Sequence, residues 1–467
     1  MQVEEVKARL DAYVDEVWEE AVDDIRALVR IDSVDDSVHA AEDMPYGPGP
    51  AEALSTALGI AERLGLEPHN CAGHIGYADL PGESARQIAT IAHSDIVPVG
   101  DGWSVSALDV TRREGYLMGR GVLDDKGPLV LSLYAAHFFA RMVKETGVPL
   151  PKTLRCIVGA AEETTMADLS WYLEHFEAPE FAFTPDADFP LICGEKGILH
   201  GHFELPWSAD GVVVSLQGGT VANAVAGRAA ARLRGDVSLP EAEDLNVSQE
   251  ADGSMLVTAT GKGGHASIPA GTKNAIALLA QHLLQLDGLA ASERALLELA
   301  SLVCSTWDGV ALGIDASDDK FGALTCVGGT VSTEGAARLS VDIRYPTTTS
   351  AEVLVTRLSE LAARFGGSFV LDGNKDPFYV EPTSPEIEAL LTTYREYARA
   401  DGQAFTIGGG TYARKFPKAC AFGPNEPDYP NPAWVGAEHG PDEAISEELL
   451  KRALKIYIVS IARLMEL

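Results

Sequence analysis

The chain has 467 residues, more than one ordinary core accommodates, so two or three domains are expected. Its 69 acidic and 36 basic side chains give a net charge of −33, which argues against nucleic-acid and anionic-membrane partners, since both need clustered Lys and Arg. No apolar run reaches the roughly 18 residues that span a bilayer, so no membrane association is expected.

Six cysteines (Cys71, Cys156, Cys193, Cys304, Cys326 and Cys420) are scattered without a C-x-x-C pair. They read as free, mostly buried thiols in a reducing compartment. The opening stretch MQVEEVKARLDAYVDEVWEE is acidic and amphipathic, unlike a signal peptide, and a cytoplasmic location is expected.

Apolar residues recur every three to four positions from Val3 to Ile31 (Val6, Leu10, Val14, Trp18, Val22, Ile25, Leu28), which predicts an amphipathic helix with room for one break. A second helix is predicted over Ala51–Leu64, ended by Gly65. Strands follow at 74–80 and 87–93, a helix at 128–146, a strand at 153–160, a helix at 166–176 and a strand at 181–184. This alternation predicts an α/β fold whose mostly parallel sheet is covered by helices. Near Cys193 the character changes. Strand-like segments such as GEKGILHGHFEL, GSMLVTATGKGG and ARLSVDIRYP alternate with turns, and helical patterns intervene at 274–286, 292–303 and 351–365. The expected organisation is a catalytic domain over 1–190 and 382–467, interrupted by an α+β insert over 191–381. Beyond the insert come a helix at 385–400, the loop IGGGTYAR and a last helix at 446–465.

The chemistry gathers at the ends of the apolar runs. In YLMGRGVLDDKGP, glycines at 119, 121 and 127 permit tight turns, and Asp124 and Asp125 stand at a helix start, where the helix dipole favours anions. Alone, this loop reads equally as a solvated acidic turn. Its company decides the matter. QIATIAHSD ends in His93 and Asp95, LRCIVGAAEETT in Glu162-Glu163, and FAFTPDADFP offers Asp186 and Asp188. In open α/β sheets, sites collect at the carboxyl ends of strands. Mixed imidazole and carboxylate donors suit zinc, manganese or cobalt better than calcium. A pair of metals ~3.5–4 Å apart can share a hydroxide and needs a bridging carboxylate. A second imidazole is wanted, and His439, before the last helix, is placed to supply it. The other histidines (His39, His69, His74, His137, His175, His200, His202, His282) lack such a context and read as structural or solvated.

Together, His93-Ser94-Asp95, GRGVLDDKGP, Glu162-Glu163, TPDADFP with GEKG, IGGGTYARKF and Glu438-His439-Gly440 resemble the motif set of the co-catalytic zinc peptidases, the family of carboxypeptidase G, the aminoacylases and carnosinase. The match spans nearly the whole chain in order, and TPDADFPLICGEKG and GGGTYAR are most similar to the PepV-type dipeptidases. One departure is EETT, where many relatives have EE followed by Thr-Gly or Ser-Gly.

The resemblance implies two divalent metal ions per chain, zinc foremost, with manganese and cobalt as alternatives. Asp124 would bridge them, with a cis bond to Asp125. His93 and Asp186 would complete one metal, and Glu163 and His439 the other. Glu162 would be the general base, with Asp95 behind His93. The insert would act as a lid whose His265 donates to the scissile carbonyl, while Asn223 and Arg344 bind substrate. Gly410, Thr411 and Arg414 of GGGTYAR would grip the substrate's free carboxylate. The expected activity is that of a monomeric metallopeptidase acting on small unblocked dipeptides. The alternatives are an N-acyl amino acid deacylase and a non-catalytic binding protein that has kept the fold.

Overall fold

The computed structural model describes residues 2–208, 210–235, 237, 239–240 and 242–467. The chain divides into two compact units. One comprises Met1–Cys193, Tyr379–Phe405 and Gly410–Leu467, the other Gly194–Phe378 and Thr406–Gly409.

In the first unit the alternating pattern builds a mixed sheet. Six consecutive strands of this sheet are Glu67–Cys71, Ile75–Leu80, Leu150–Gly159, Gly82–His93, Phe181–Thr184 and Ala419–Ala421. The last four run parallel, as alternation with helices dictates. The first two form a hairpin at the edge and run antiparallel. Its turn passes through Ala72 and Gly73, both at positive φ. The N-terminal amphipathic stretch is broken once, into Val3–Lys7 and Leu10–Val29. Its apolar stripe, including Leu10, Val14, Trp18, Val22 and Ile25, is buried. The helix Lys126–Thr146 begins two residues before the expected Pro128, which puts Asp125 at its N-cap position. That helix is buried from Lys126 to Ala136, and Gly147 closes it in the left-handed conformation. The final helix, Glu447–Glu466, is capped by the Ser446 hydroxyl, which accepts from the Glu448 amide at 3.2 Å.

The second unit is an antiparallel sheet. Among the described residues it has eight strands, in the order Leu245–Gln249, Met255–Thr260, Arg228–Leu233, Val213–Gly218, Thr325–Ser332, Ala337–Tyr345, Gly197–Leu205 and Ser368–Lys375. Helices Ala275–Leu283, Ala291–Cys304 and Ala351–Arg364 share one apolar core with it, through residues such as Leu279, Leu299, Leu358, Val257 and Leu339. All six cysteines are free and all but Cys71 are buried. No helix among the described residues is long and apolar enough to cross a membrane.

One buried ion pair ties the edge hairpin to the parallel strands. Arg155 lies directly across from Asp79 and donates to its two carboxylate oxygens at 2.8 and 2.7 Å. A third nitrogen donates to the Tyr172 hydroxyl at 2.7 Å, and the guanidinium lies 3.7 Å from the Tyr77 ring centroid. Losing the acceptor strands a buried cation, which costs about 3–5 kcal/mol. Asp79→Ala should therefore lower unfolding free energy by about that amount in denaturant titration. An unchanged midpoint would contradict this reading of the pair.

Candidate metal centre

The centre is assembled where the parallel strands end. Strand register sets His93 level with Gly159, so the residues that follow each strand emerge side by side. Gly82–His93 delivers His93 itself. Leu150–Gly159 leads into Glu162 and Glu163, and Phe181–Thr184 into Asp186. Asp124 comes from the turn before helix Lys126–Thr146, and its bond to Asp125 is cis, as the resemblance implies. His439 comes from the loop before the last strand and helix, with φ of +60°.

Asp124 occupies the middle. One of its carboxylate oxygens lies 3.1 Å from His93 Nε2, and the other lies 2.8 Å from His439 Nε2. Asp186 approaches His93 Nε2 at 3.7 Å, and Glu163 approaches His439 Nε2 at 3.3 Å. The far nitrogen of His93 faces the backbone carbonyl of Asp95 at 3.1 Å and its carboxylate at 3.4 Å, which turns Nε2 toward the acidic cluster. His93 is fully buried, whereas His439 is about half exposed, at 52% of its side-chain surface.

Buried carboxylates fix the loops through main-chain donors. Asp95 accepts from the amides of Glu162 and Glu163, at 3.2 and 3.1 Å. Asp125 accepts from the His93 amide at 3.0 Å. Asp168 accepts from Ala160 and Ala161, at 2.8 and 3.0 Å, and from the Tyr412 hydroxyl. Lys126, fully buried, donates to the Leu28 and Ile31 carbonyls at 2.9 and 2.8 Å and so anchors the Asp124 turn to the end of helix Leu10–Val29.

The electrostatics call for a cation. Burial pushes the Glu162, Glu163 and Asp186 carboxyls up, and the charges of Asp186, Asp124 and Asp124, respectively, push them further. Asp124 is different: burial opposes its charge, but hydrogen bonds to His439 and His93 hold it well below the usual carboxylate range. Those same bonds, to Asp124 and Glu163, push His439 up to about 11. His93 also rises well above its usual value, because Asp124 and Asp95 outweigh the effect of its burial. Protons here stand where positive charge is needed, and a divalent ion would displace them.

The donor set fits such an ion. Ligand atoms of His93, Asp124 and Glu163 lie within 4.8 Å of one another, as do those of His93, Glu162 and Asp186. Glu162 also keeps one buried carboxylate oxygen without a hydrogen-bond partner. His439 stands beside the first grouping, with Nε2 2.8 Å from Asp124 and 3.3 Å from Glu163; among the described residues no such grouping is found away from this cluster.

Other residues singled out in the sequence lie elsewhere. Thr411 is buried, and its hydroxyl accepts from the Ala413 amide at 3.1 Å, which opens the short turn Tyr412–Lys415 that carries Arg414. Gly410 precedes that turn. Asn223, His265 and Arg344 belong to the second unit. There the Asn223 carbonyl accepts from the Ala266 amide at 2.9 Å, and exposed His265 has Nδ1 2.6 Å from the Ser267 hydroxyl. Arg344 is buried. Two of its nitrogens donate to Asp342 at 2.6 and 2.9 Å, and a third donates to the Gly408 carbonyl at 2.9 Å.

Sequence reading missed Asp168, Tyr412, Lys126 and Glu443 as organisers of the site. Glu443, fully buried, accepts from the amides of Gly121, Leu123 and Asp124 at 2.9, 3.0 and 3.2 Å. Its one visible signal is an acidic residue four positions beyond His439.

The chain also resembles known proteins along its length. The profile of Peptidase family M20/M25/M40 matches residues 89–463. The putative dipeptidase YtjP of Bacillus subtilis is 31% identical over 463 residues, covering 96% of this chain and 97% of that protein. The Beta-Ala-Xaa dipeptidase of Lactobacillus delbrueckii subsp. lactis is 30% identical over 422 residues, covering 86% and 87%. Human carnosine dipeptidase 1 shares the fold, with a TM-score of 0.61 at 13% identity over 100% of this chain and 99% of that one. The α/β architecture, the acidic centre at the strand ends and these similarities lead to one assignment: the chain belongs to peptidase family M20/M25/M40 and is a metallopeptidase.

Proposed function

We propose that the protein is a two-metal dipeptidase that hydrolyses the peptide bond of small, unblocked dipeptides. The observation that carries this reading is the Asp124 carboxylate, with one oxygen on each of two imidazoles. That geometry suits a bridge between two cations, with His93 and Asp186 on one side and Glu163 and His439 on the other. The names of the two dipeptidase relatives support the substrate class. Zinc is the first choice, and manganese and cobalt suit the same donors.

When bound, the metals supply charge that lowers the pKa of a water and polarises the scissile carbonyl. Glu162 is the proposed base. Burial and the charge of Asp186 raise its proton affinity, and its free oxygen can accept the proton of the attacking water. The same carboxyl then returns that proton to the leaving amine. Asp95 keeps Glu162 in place through the main chain and orients His93.

The second unit is proposed as the lid. Its His265 is exposed, with Nδ1 2.6 Å from the Ser267 hydroxyl that orients the ring, which suits a donor to the carbonyl oxygen. Asn223 is joined to the His265 strand through the Ala224–His265 pair, so the two residues travel together. Arg344 keeps donors beyond those given to Asp342 and Gly408, and Arg414 with the Gly410–Thr411 backbone offers a second grip on a carboxylate. The protein is proposed to act as a monomer in the cytoplasm.

Two measurements check this. Glu162→Gln should lower kcat by at least about a hundredfold while bound metal stays at the wild-type level. Metal lost together with activity would make Glu162 a ligand instead, which its place beside His93 and Asp186 also allows. A panel of dipeptides and N-acetyl amino acids should show chelator-sensitive cleavage of the dipeptides. Cleavage confined to the acylated amino acids would assign the protein as a deacylase.

A further inference from the structure

The loop that carries His439 holds Asp124 twice. It closes at its foot, where the Gly436 amide donates to the Asp442 carbonyl at 2.8 Å and the Ala444 amide donates to the Gly436 carbonyl at 3.3 Å. From within this loop His439 reaches one oxygen of the Asp124 carboxylate, at 2.8 Å. From its foot Glu443 reaches the backbone of the same residue. One carboxylate oxygen of Glu443 accepts from the amides of Gly121, Leu123 and Asp124. The other accepts from Arg120 Nη1 at 2.5 Å, and the Glu443 carbonyl accepts from the Gly119 amide at 3.0 Å.

These bonds span the whole turn from Gly119 to Asp124. That turn has no strand or helix of its own, and Gly119 and Gly121 take positive φ. A turn of this kind has no ladder of its own to fix it, so the direction of the Asp124 side chain depends on what its amides bind. Both partners of the central pair, Glu443 and Arg120, are buried, at 0% and 1% exposure. Neither touches the cleft-facing oxygens of Asp124, so their part is to hold and not to react.

We infer that Glu443 is a positioning residue for metal binding: by fixing the Gly119–Asp124 turn to the His439 loop, it aims the Asp124 carboxylate between the two imidazoles. This rests on the reading of Asp124 and His439 as metal ligands. Residues that orient ligands in this way typically contribute roughly 10–100-fold to metal affinity.

The test uses the full chain and Mn²⁺ alone as probe. Dissociation constants are measured by equilibrium dialysis, beside thermal unfolding of the chelator-treated proteins. Simple removal of Glu443 would strand the Arg120 charge and could prevent folding, so two gentler variants are used. Glu443→Asp keeps the charge facing Arg120 but is too short to reach all three amides. It is expected to unfold close to the wild-type temperature without metal, yet to bind Mn²⁺ at least roughly tenfold more weakly. The double variant Arg120→Gln, Glu443→Gln keeps an acceptor for the three amides without a buried charge, and should bind Mn²⁺ more tightly than Glu443→Asp. A Glu443→Asp protein with wild-type Mn²⁺ affinity would overturn the inference, because a role confined to folding lowers the melting temperature alone. A double variant weaker than Glu443→Asp would overturn it too. Wild-type protein that takes up no Mn²⁺ or other divalent ion would overturn the metal centre itself, and this inference with it.

Discussion

Everything in the site depends on Asp124 sharing its carboxylate between His93 and His439. The two imidazoles come from segments far apart in the chain, one from a central strand and one from a loop before the last helix. Only a carboxylate between them lets both point at one place without direct repulsion. The cost is a crowd of acids in a buried space, since Glu162, Glu163 and Asp186 lie around the same point. Burial raises each of these three, so the crowding opposes the fold unless a cation offsets it, which fits the proposed metal centre.

Behind the cluster, four more carboxylates do a different job. Asp95, Asp125, Asp168 and Glu443 are all buried, and each accepts main-chain N–H groups from the segments that carry the proposed ligands. Asp95 holds Glu162 and Glu163, Asp125 holds His93, Asp168 holds the two residues before the glutamates, and Glu443 holds Asp124. Loops cannot fix themselves as strands do, so side-chain acceptors replace the missing ladder. The same economy explains Tyr412. It lies in a glycine-rich loop that sequence reading gives to substrate, yet its hydroxyl points inward to Asp168.

Of the proposed ligands, His93, Glu163 and Asp186 stand out in the sequence because each lies at or just beyond the end of an apolar strand, and strand ends are where a parallel sheet gathers chemistry. The motif resemblance supplies the roles proposed for them. The supporting acids were not legible. Asp168 meets Tyr412 across 244 positions, and Glu443 meets Arg120 across 323, so no local pattern marks either pair. Parallel pairing in the middle of the sheet follows from strand–helix alternation, whereas the edge hairpin Glu67–Leu80 runs antiparallel because a three-residue turn leaves no room for a crossover. Helix Lys126–Thr146 starts two residues ahead of the expected Pro128, because Pro128 has the pattern of a first-turn residue and the buried lysine before it has the pattern of a loop. The resemblance gives Arg344 to substrate and is silent on its pairing with Asp342, two positions earlier on the same strand; that places both side chains on one face, a contact that period-two spacing allows but does not announce.

The central claim is that Asp124 bridges two metals. The most direct measurement is the metal content of protein stripped with chelator and reloaded with zinc, for wild type beside Asp124→Asn. The account predicts about two zinc ions per wild-type chain and a loss of tight binding at both positions in the variant, because both lose the shared ligand. One ion per wild-type chain, or an Asp124→Asn protein that still binds two tightly, would contradict it.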